Sequence, residues 1–286
     1  MKLLITGGNG FLGSRIISFF SNSNHCLAPS HQELDITNLK QCQNILYKWQ
    51  PDIVIHTAAI SDVSYCESHP DLSNAINVHG SVNLAYICKE LKIPMLFMSS
   101  DQVYSSNHTA LPNNESDPCH PLTLYGRQKL EAEQRILDLL PDQGICLRLS
   151  WMYDHSASPF KTKSNFLTQL MNANEQPPVF FSDLEYRGIT WVWEVIQNLS
   201  TASSLPAGIY NFGSYAKTTT YQLATEMLEL LGKKSNEMPI LQKRTNVSPR
   251  SLSMSQDKLQ AHHISFSENL TGLQSCLTHY SNNCMN

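Results

Sequence analysis

Apolar and polar positions alternate in blocks along the first half of the chain. Lys2–Thr6 is a short, mostly apolar run led by β-formers, and Ser14-Arg-Ile-Ile-Ser-Phe-Phe carries apolar residues at helical spacing. The same alternation recurs downstream. Strands are predicted over 25–30, 52–59, 94–104 and 144–150, and helices over 38–50, 71–91 and 123–140. Pro51 and Pro141 end two of those helices, and Thr37 stands where an N-cap for the 38–50 helix is expected. Strands that alternate with helices this regularly predict an α/β fold with a doubly wound parallel sheet of Rossmann type. Beyond Asp154 the regularity breaks. Helices are expected over 165–174, 191–200 and 219–231, with short strands over 178–181 and 208–213. Residues 1–152 with about 190–214 are therefore assigned to a dinucleotide-binding domain. Residues 153–189 with 215–286 are assigned to a smaller, mixed α/β substrate-binding lobe.

The first strand runs into glycines at 7, 10 and 13, followed at once by the first helix. That is the physical arrangement for holding a pyrophosphate. Gly7 allows the tight turn, Gly10 lets the anion reach the backbone, and Gly13 lets the helix lie close on the strand. The helix presents free N–H groups and the positive end of its dipole. Phe11 and Leu12 lie within this loop, and Ala58 and Ala59 supply small side chains at the tip of the third predicted strand. An acidic residue at the end of the second strand would select NAD. Ser30 and His31 hold that position instead, and with Arg15 they could tolerate a 2′-phosphate. NADPH is the preferred cofactor on this reading, with NADH left open. Asp35 either caps locally or meets the adenine.

Composition adds exclusions. A hydrophobic content of 41%, a charged content of 15% and a formal charge of −4 are ordinary for a globular protein and offer no basic face to nucleic acid or an anionic membrane. None of the eight cysteines forms a C-x-x-C pair, so reduced thiols are expected. No apolar run approaches a membrane span, and the opening strand leaves no room for a signal peptide, so a cytoplasmic location is expected. His262-His263 has no partner at metal-ligand spacing, and no metal is expected.

Tyr125 and Lys129 sit one turn apart on one face of the 123–140 helix. A phenol has a pKa of about 10, and a neighbouring ammonium pulls it toward working pH, where proton transfer is efficient. The 94–104 segment runs apolar into Ser99-Ser-Asp101, and polar residues at the carboxyl end of a strand are where open α/β sheets bind ligands.

Thr6-Gly-Gly-Asn-Gly-Phe-Leu-Gly13, His56-Thr-Ala-Ala59, Asn77-Val-His-Gly80, Ser99-Ser-Asp101 and Tyr125-x-x-x-Lys129 together resemble the extended short-chain dehydrogenase/reductases. Over nearly its whole length the chain looks most like dTDP-4-dehydrorhamnose reductases, through Glu33–Thr37, Ser99–Val103, Leu124–Glu133 and Leu147–Tyr153. The resemblance implies an NAD(P)H-dependent reductase of a 4-keto-6-deoxy nucleotide sugar, with Ser100, Tyr125 and Lys129 catalytic. It implies a cofactor set of Gly7, Gly10, Phe11, Leu12, Gly13, His31, Asp35, Ile36, Ala58, Ala59, Asn77 and Ser99, with Tyr125 and Lys129 also touching the cofactor. Ser61, Asp101, Val103 and Trp151 are implied near the sugar, Trp151 as a plain core aromatic being the competing reading. Arg187 and Arg250 are candidates for the diphosphate, since guanidinium forks suit phosphate oxygens.

Departures fall on the substrate side. Val63-Ser-Tyr-Cys-Glu67 lacks a charged pair usual in the family, Ile189 replaces a usual proline, and Ser248-Pro-Arg-Ser251 lacks a usual arginine before the proline. The rival readings are a sugar-nucleotide epimerase or dehydratase, and a non-catalytic relative like the regulatory subunit of methionine adenosyltransferase. A nucleotide sugar is the expected partner, and a homodimer is compatible with the sequence.

Overall fold

The computed structural model describes residues 1–108, 111–160, 165–171, 179–232, 241–243 and 248–283. In chain order the elements begin with β1 (Lys2–Thr6), α1 (Phe11–Phe20), β2 (His25–Leu27), α2 (Leu39–Trp49) and β3 (Ile53–His56). Next come α3 (Val63–Ser68), α4 (Pro70–Asn74), a π-helical turn over Ala75–Gly80, α5 (Ser81–Leu91) and β4 (Met95–Ser100). A 3₁₀ turn (Asp101–Tyr104) leads toward α6 (Leu124–Leu139) and β5 (Gly144–Leu149). Then follow β6 (Trp151–Tyr153), α7 (Phe166–Met171), β7 (Val179–Phe181), β8 (Glu185–Arg187), β9 (Ile189–Trp191), α8 (Val192–Ala202) and β10 (Gly208–Phe212). The chain continues through α9 (Thr220–Leu230), β11 (Leu241–Lys243), β12 (Arg250–Leu252), α10 (Asp257–Gln260) and α11 (Asn269–Asn283).

Six strands form one sheet in the order β10-β5-β4-β3-β1-β2. β1 pairs in parallel with β2 and β3, and β3 in parallel with β4. The order reverses at β1, which places a topological switch beside the glycine loop. This is the doubly wound α/β fold that the alternation predicts. Leu4, Val54, Met95, Phe97 and Cys146 from the strands and Leu46, Leu84, Ala132 and Ile136 from the helices share one buried cluster. Strands covered on both faces explain the near-continuous apolar runs.

The chain divides into two compact units, one of 1–105, 118–148 and 199–210, the other of 106–117, 149–198 and 211–286. The second unit has its own core around Tyr153, Phe166, Trp191, Leu223, Met227 and Leu273, and three two-stranded parallel pairings: β11–β7, β12–β8 and β6–β9.

Several local expectations are corrected. Asn38, not Thr37, caps α2, its side chain accepting from the N–H of Gln41, while Thr37 is turned onto Asp35. The helix expected over 71–91 is broken by the π turn. Trp191 closes β9 rather than opening a helix. Residues 172–174 of one expected helix and Pro178 lie outside the described residues. Among the described residues Cys26, Cys42, Cys66, Cys88, Cys119, Cys146 and Cys276 are in no disulfide. No described helix is long and apolar enough to cross a membrane.

Candidate active site

The glycine loop has the shape its spacing implies. Gly7 takes φ +73°, and a Cβ there would sit 2.7 Å from the backbone nitrogen of Ala58. A Cβ on Gly13 would fall inside the van der Waals shell of the Gly7 carbonyl. Gly10 caps α1 without a side chain, and the first turn of α1 holds no acidic residue. Thr57 Oγ1 donates to the Thr6 carbonyl at 2.7 Å, which fastens the β3 tip with Ala58 and Ala59 against the loop. This cradle, which a Cβ would fill, fits a dinucleotide pyrophosphate at the head of α1.

The residues around that cradle are placed as follows. Phe11 is half-buried and Leu12 buried. Arg15 is fully buried, donates to the Phe11 carbonyl at 2.7 Å and stacks 4.2 Å from the centre of the Phe11 ring. Both of these contacts lie within its own helix. His31 is exposed. Ser30 is already engaged, its N–H and hydroxyl donating to Glu33 Oε2 at 2.8 and 2.7 Å. Those bonds hold the Glu33 carboxyl below its ordinary pKa. Asp35 accepts from the Thr37 N–H and hydroxyl at 2.9 and 2.7 Å, the local option of the two open in the sequence. Ile36 is buried where a Cβ on Gly80 would strike it.

The end of β4 and the start of α6 carry the chemistry. Thr123 caps α6 through the N–H of Gly126, and Glu67 Oε1 accepts from the N–H of Leu124 at 2.7 Å. Glu67 thus sits at the mouth of the helix that carries Tyr125, a role its sequence position does not reveal. Gly126 is a second feature missed from sequence. A Cβ there would lie 2.7 Å from the Gln102 carbonyl, so this glycine lets α6 approach the turn that follows Ser100.

Tyr125 and Lys129 are buried at 9% and 3% exposure. Lys129 Nζ donates to the Met98 carbonyl at 2.7 Å and lies 4.5 Å from the Phe97 ring centre and 5.8 Å from that of Tyr125. Burial lowers its pKa to about 8, against an opposing pull from Glu133. Glu133 is itself held by Arg148 in a fully buried pair at 2.7 Å, with Arg148 Nη1 also donating to the Tyr104 hydroxyl at 2.6 Å.

The two serines differ. Ser100 Oγ donates to Asp101 Oδ1 at 3.2 Å and accepts from the Gln102 N–H at 3.3 Å. Ser99 Oγ is buried with no hydrogen-bond partner among the described residues. A buried hydroxyl without a partner is costly, and a bound ligand would relieve it. His56 is fully buried between Thr6 Oγ1 and Ser81 Oγ at 2.6 and 2.8 Å, and burial lowers its pKa to about 3, so it stays neutral.

The sequence-predicted substrate residues divide between the units. Ser61, which is exposed, and Asp101 and Val103, both buried, belong to the unit of Tyr125. Trp151, Arg187 and Arg250 belong to the other. There the Arg187 guanidinium lies 5.0 Å from the Trp151 ring centre, and Trp151 meets Phe166 edge to face. Arg250 Nε is paired with Glu185 Oε2, across the β12–β8 pairing. That pairing gives Arg250 a structural role beside the one expected from sequence.

The model of the RmlD substrate-binding-domain family matches residues 1–282. The chain belongs to that family. It is 29% identical to the dTDP-4-dehydrorhamnose reductase of Streptomyces griseus over 239 residues, 81% of this chain and 76% of that protein. It is 26% identical to the methionine adenosyltransferase 2 subunit beta of Xenopus laevis over 268 residues, 87% of this chain and 78% of that protein. Among solved structures, the dTDP-4-dehydrorhamnose reductase from Bacillus anthracis in complex with NADP superposes with a TM-score of 0.85 at 21% identity, covering 97% of this chain and 98% of that one. The UDP-glucose 4-epimerase of Thermotoga maritima follows the same fold with a TM-score of 0.83 at 19% identity, covering all of both chains.

Proposed function

We propose that this RmlD-family chain is an NADPH-dependent reductase of a 4-keto-6-deoxy nucleotide sugar, with Tyr125 as proton donor. The observation that carries the reading is the placement of Tyr125 and Lys129 on one buried turn of α6, with Lys129 tied to the strand that ends in Ser100. The glycine loop fits the pyrophosphate, the Ala58–Ala59 tip gives a flat cofactor a floor without bulky side chains, and Ser99 offers a buried hydroxyl.

When bound, the reduced nicotinamide supplies the hydride. Ser100 donates to the sugar's keto oxygen and stabilises the charge that grows there. A positioned donor of this kind is worth about 2.7–4 kcal/mol of barrier. Tyr125 passes its phenolic proton to that oxygen, so the C4 carbonyl gains hydride at carbon and a proton at oxygen and becomes an alcohol. Lys129 steadies the phenolate left behind until solvent returns the proton. The Ser100 hydroxyl has one proton, given to Asp101 Oδ1 in the free chain, and it turns from Asp101 to the keto oxygen when substrate binds.

Intact Ser100, Tyr125 and Lys129 favour catalysis over a purely regulatory role. The experiment is NADPH oxidation against a panel of 4-keto nucleotide sugars. One NADPH consumed per sugar reduced supports the reading. Sugar conversion without net NADPH loss would instead make the chain an epimerase or dehydratase.

A further inference from the structure

Gln128 precedes Lys129 on α6 and is buried at 2% exposure, yet none of the chemistry above uses it. Its amide is a link in a chain of hydrogen bonds whose direction is fixed from one end. The Ile60 N–H can only donate, so Asn77 turns Oδ1 toward it, at 2.9 Å. Asn77 Nδ2 then donates to the Ile60 carbonyl at 3.0 Å and to Gln128 Oε1 at 2.8 Å. Gln128 Nε2 donates onward to Ser73 Oγ at 2.8 Å, and Ser73 Oγ donates to the Pro70 carbonyl at 3.1 Å. Asn77 is fully buried and sits in the π turn, the one irregular stretch between α4 and α5. Single π turns are often found at functional sites.

The far end of this chain is Ile60, directly after Ala58-Ala59. The near end of that segment is fastened to the glycine loop through Thr57 and Thr6. The segment is thus held at one end by the loop and at the other by Asn77, whose second amide proton is taken by the residue beside Lys129.

We propose that Gln128 is a positioning residue that sets the segment 57–60, the cofactor's floor, in register with Tyr125 and Lys129. The proposal rests on the reductase reading, because it needs a dinucleotide on that floor. Removing the amide leaves that Asn77 N–H with only Cys66 Sγ, a weak acceptor at 3.8 Å, and Asn77, although still bonded to the Ile60 peptide, is no longer tied to α6. The 57–60 segment then shifts against the glycine loop, and both cofactor affinity and the alignment for proton transfer suffer.

The test uses the full chain and two variants, Gln128→Leu and Gln128→Glu, with NADPH binding measured directly by fluorescence titration and turnover measured separately. Gln128→Leu raises the NADPH Kd about tenfold, equivalent to about 1.4 kcal/mol, and lowers kcat while leaving the sugar KM within about twofold. Gln128→Glu, which keeps the acceptor facing Asn77, recovers most of the affinity. General loosening of the fold would lower the melting temperature without separating Kd from sugar KM. Should Gln128→Leu not fold, Ser73→Ala gives the same answer, with an expected NADPH Kd rise of about threefold from the lost end of the chain. A folded variant with wild-type NADPH Kd and kcat overturns the proposal. Failure of the wild-type chain to bind NADPH at all would instead overturn the reductase reading.

Discussion

Lys129 Nζ donates to the main-chain carbonyl of Met98 at 2.7 Å, which fastens the ammonium of α6 to β4 two residues before Ser100. The bond explains how an amine with 3% exposure is held in one place, and it sets the electrostatics of the Tyr125 turn. With its pKa lowered by burial to about 8, this amine loses its charge within a measurable pH range.

The pH dependence follows with two opposite signs. The charged form of Lys129 supports the Tyr125 phenolate, so kcat falls as pH rises through about 8. Stability moves the other way. The folded-state pKa lies below the ordinary 10.5, so the unfolded chain binds more protons between about 8 and 10.5, and this group's contribution to stability rises with pH across that window. A pH profile of kcat and denaturant melts of wild type and Lys129→Met check both signs. The Met variant has a flatter stability slope from pH 8 to 10.5.

Gly13→Ala places a methyl group against the Gly7 carbonyl. Backbone cannot yield as a side-chain tip can, so the substitution costs about 1–3 kcal/mol of stability and opens the loop. NADPH affinity measured by titration falls by at least about tenfold, the equivalent of about 1.4 kcal/mol. Gly232→Ala, at a glycine with open space around its Cβ position, has no effect on that affinity although its φ of +72° costs some stability.

Glu133→Gln breaks the buried pair with Arg148 while leaving the guanidinium in place. An uncompensated buried charge costs about 3–5 kcal/mol, read as a lower melting temperature. Glu133 also opposes the burial-driven lowering of the Lys129 pKa. Its loss therefore moves the alkaline limb of the kcat profile to lower pH, which a plain loss of stability would not do.

Glu33→Ala frees the N–H and hydroxyl of Ser30, both now given to the Glu33 carboxylate. Those donors suit a 2′-phosphate, and a repelling charge is removed with the same change. The ratio of NADPH to NADH specificity constants rises by at least about threefold, or roughly 0.6 kcal/mol.

The sequence is most legible where local geometry and chemistry coincide. The run from Lys2 to Gly13 announces strand, turn and helix at once, because only glycine serves at Gly7 and Gly13. Thr123 and the four-residue spacing of Tyr125 and Lys129 likewise place α6 and its working face. The π turn at Ala75–Gly80 was invisible, since one extra residue in a single turn barely disturbs apolar spacing over a stretch that short. Residue chemistry alone does not separate neighbouring Ser99 and Ser100, which only the family resemblance tells apart; the strand sends the Ser100 hydroxyl to Asp101 and leaves that of Ser99 without a partner among the described residues. Glu67 and Gly126 act on residues distant in sequence, so no local pattern marks them. In the second unit β6, β8, β9 and β12 are only three residues each, too short for alternation to show. α11 was legible in principle through Leu273, Cys276 and Tyr280, which line its buried face at helical spacing.

The most direct measurement is a paired titration and turnover assay of Tyr125→Phe beside the wild type, with NADPH and a 4-keto-6-deoxy nucleotide sugar. Loss of the phenolic proton leaves NADPH affinity within about twofold and lowers kcat by at least about 100-fold, the low end of what a positioned general acid contributes. Unchanged turnover in Tyr125→Phe would contradict the account.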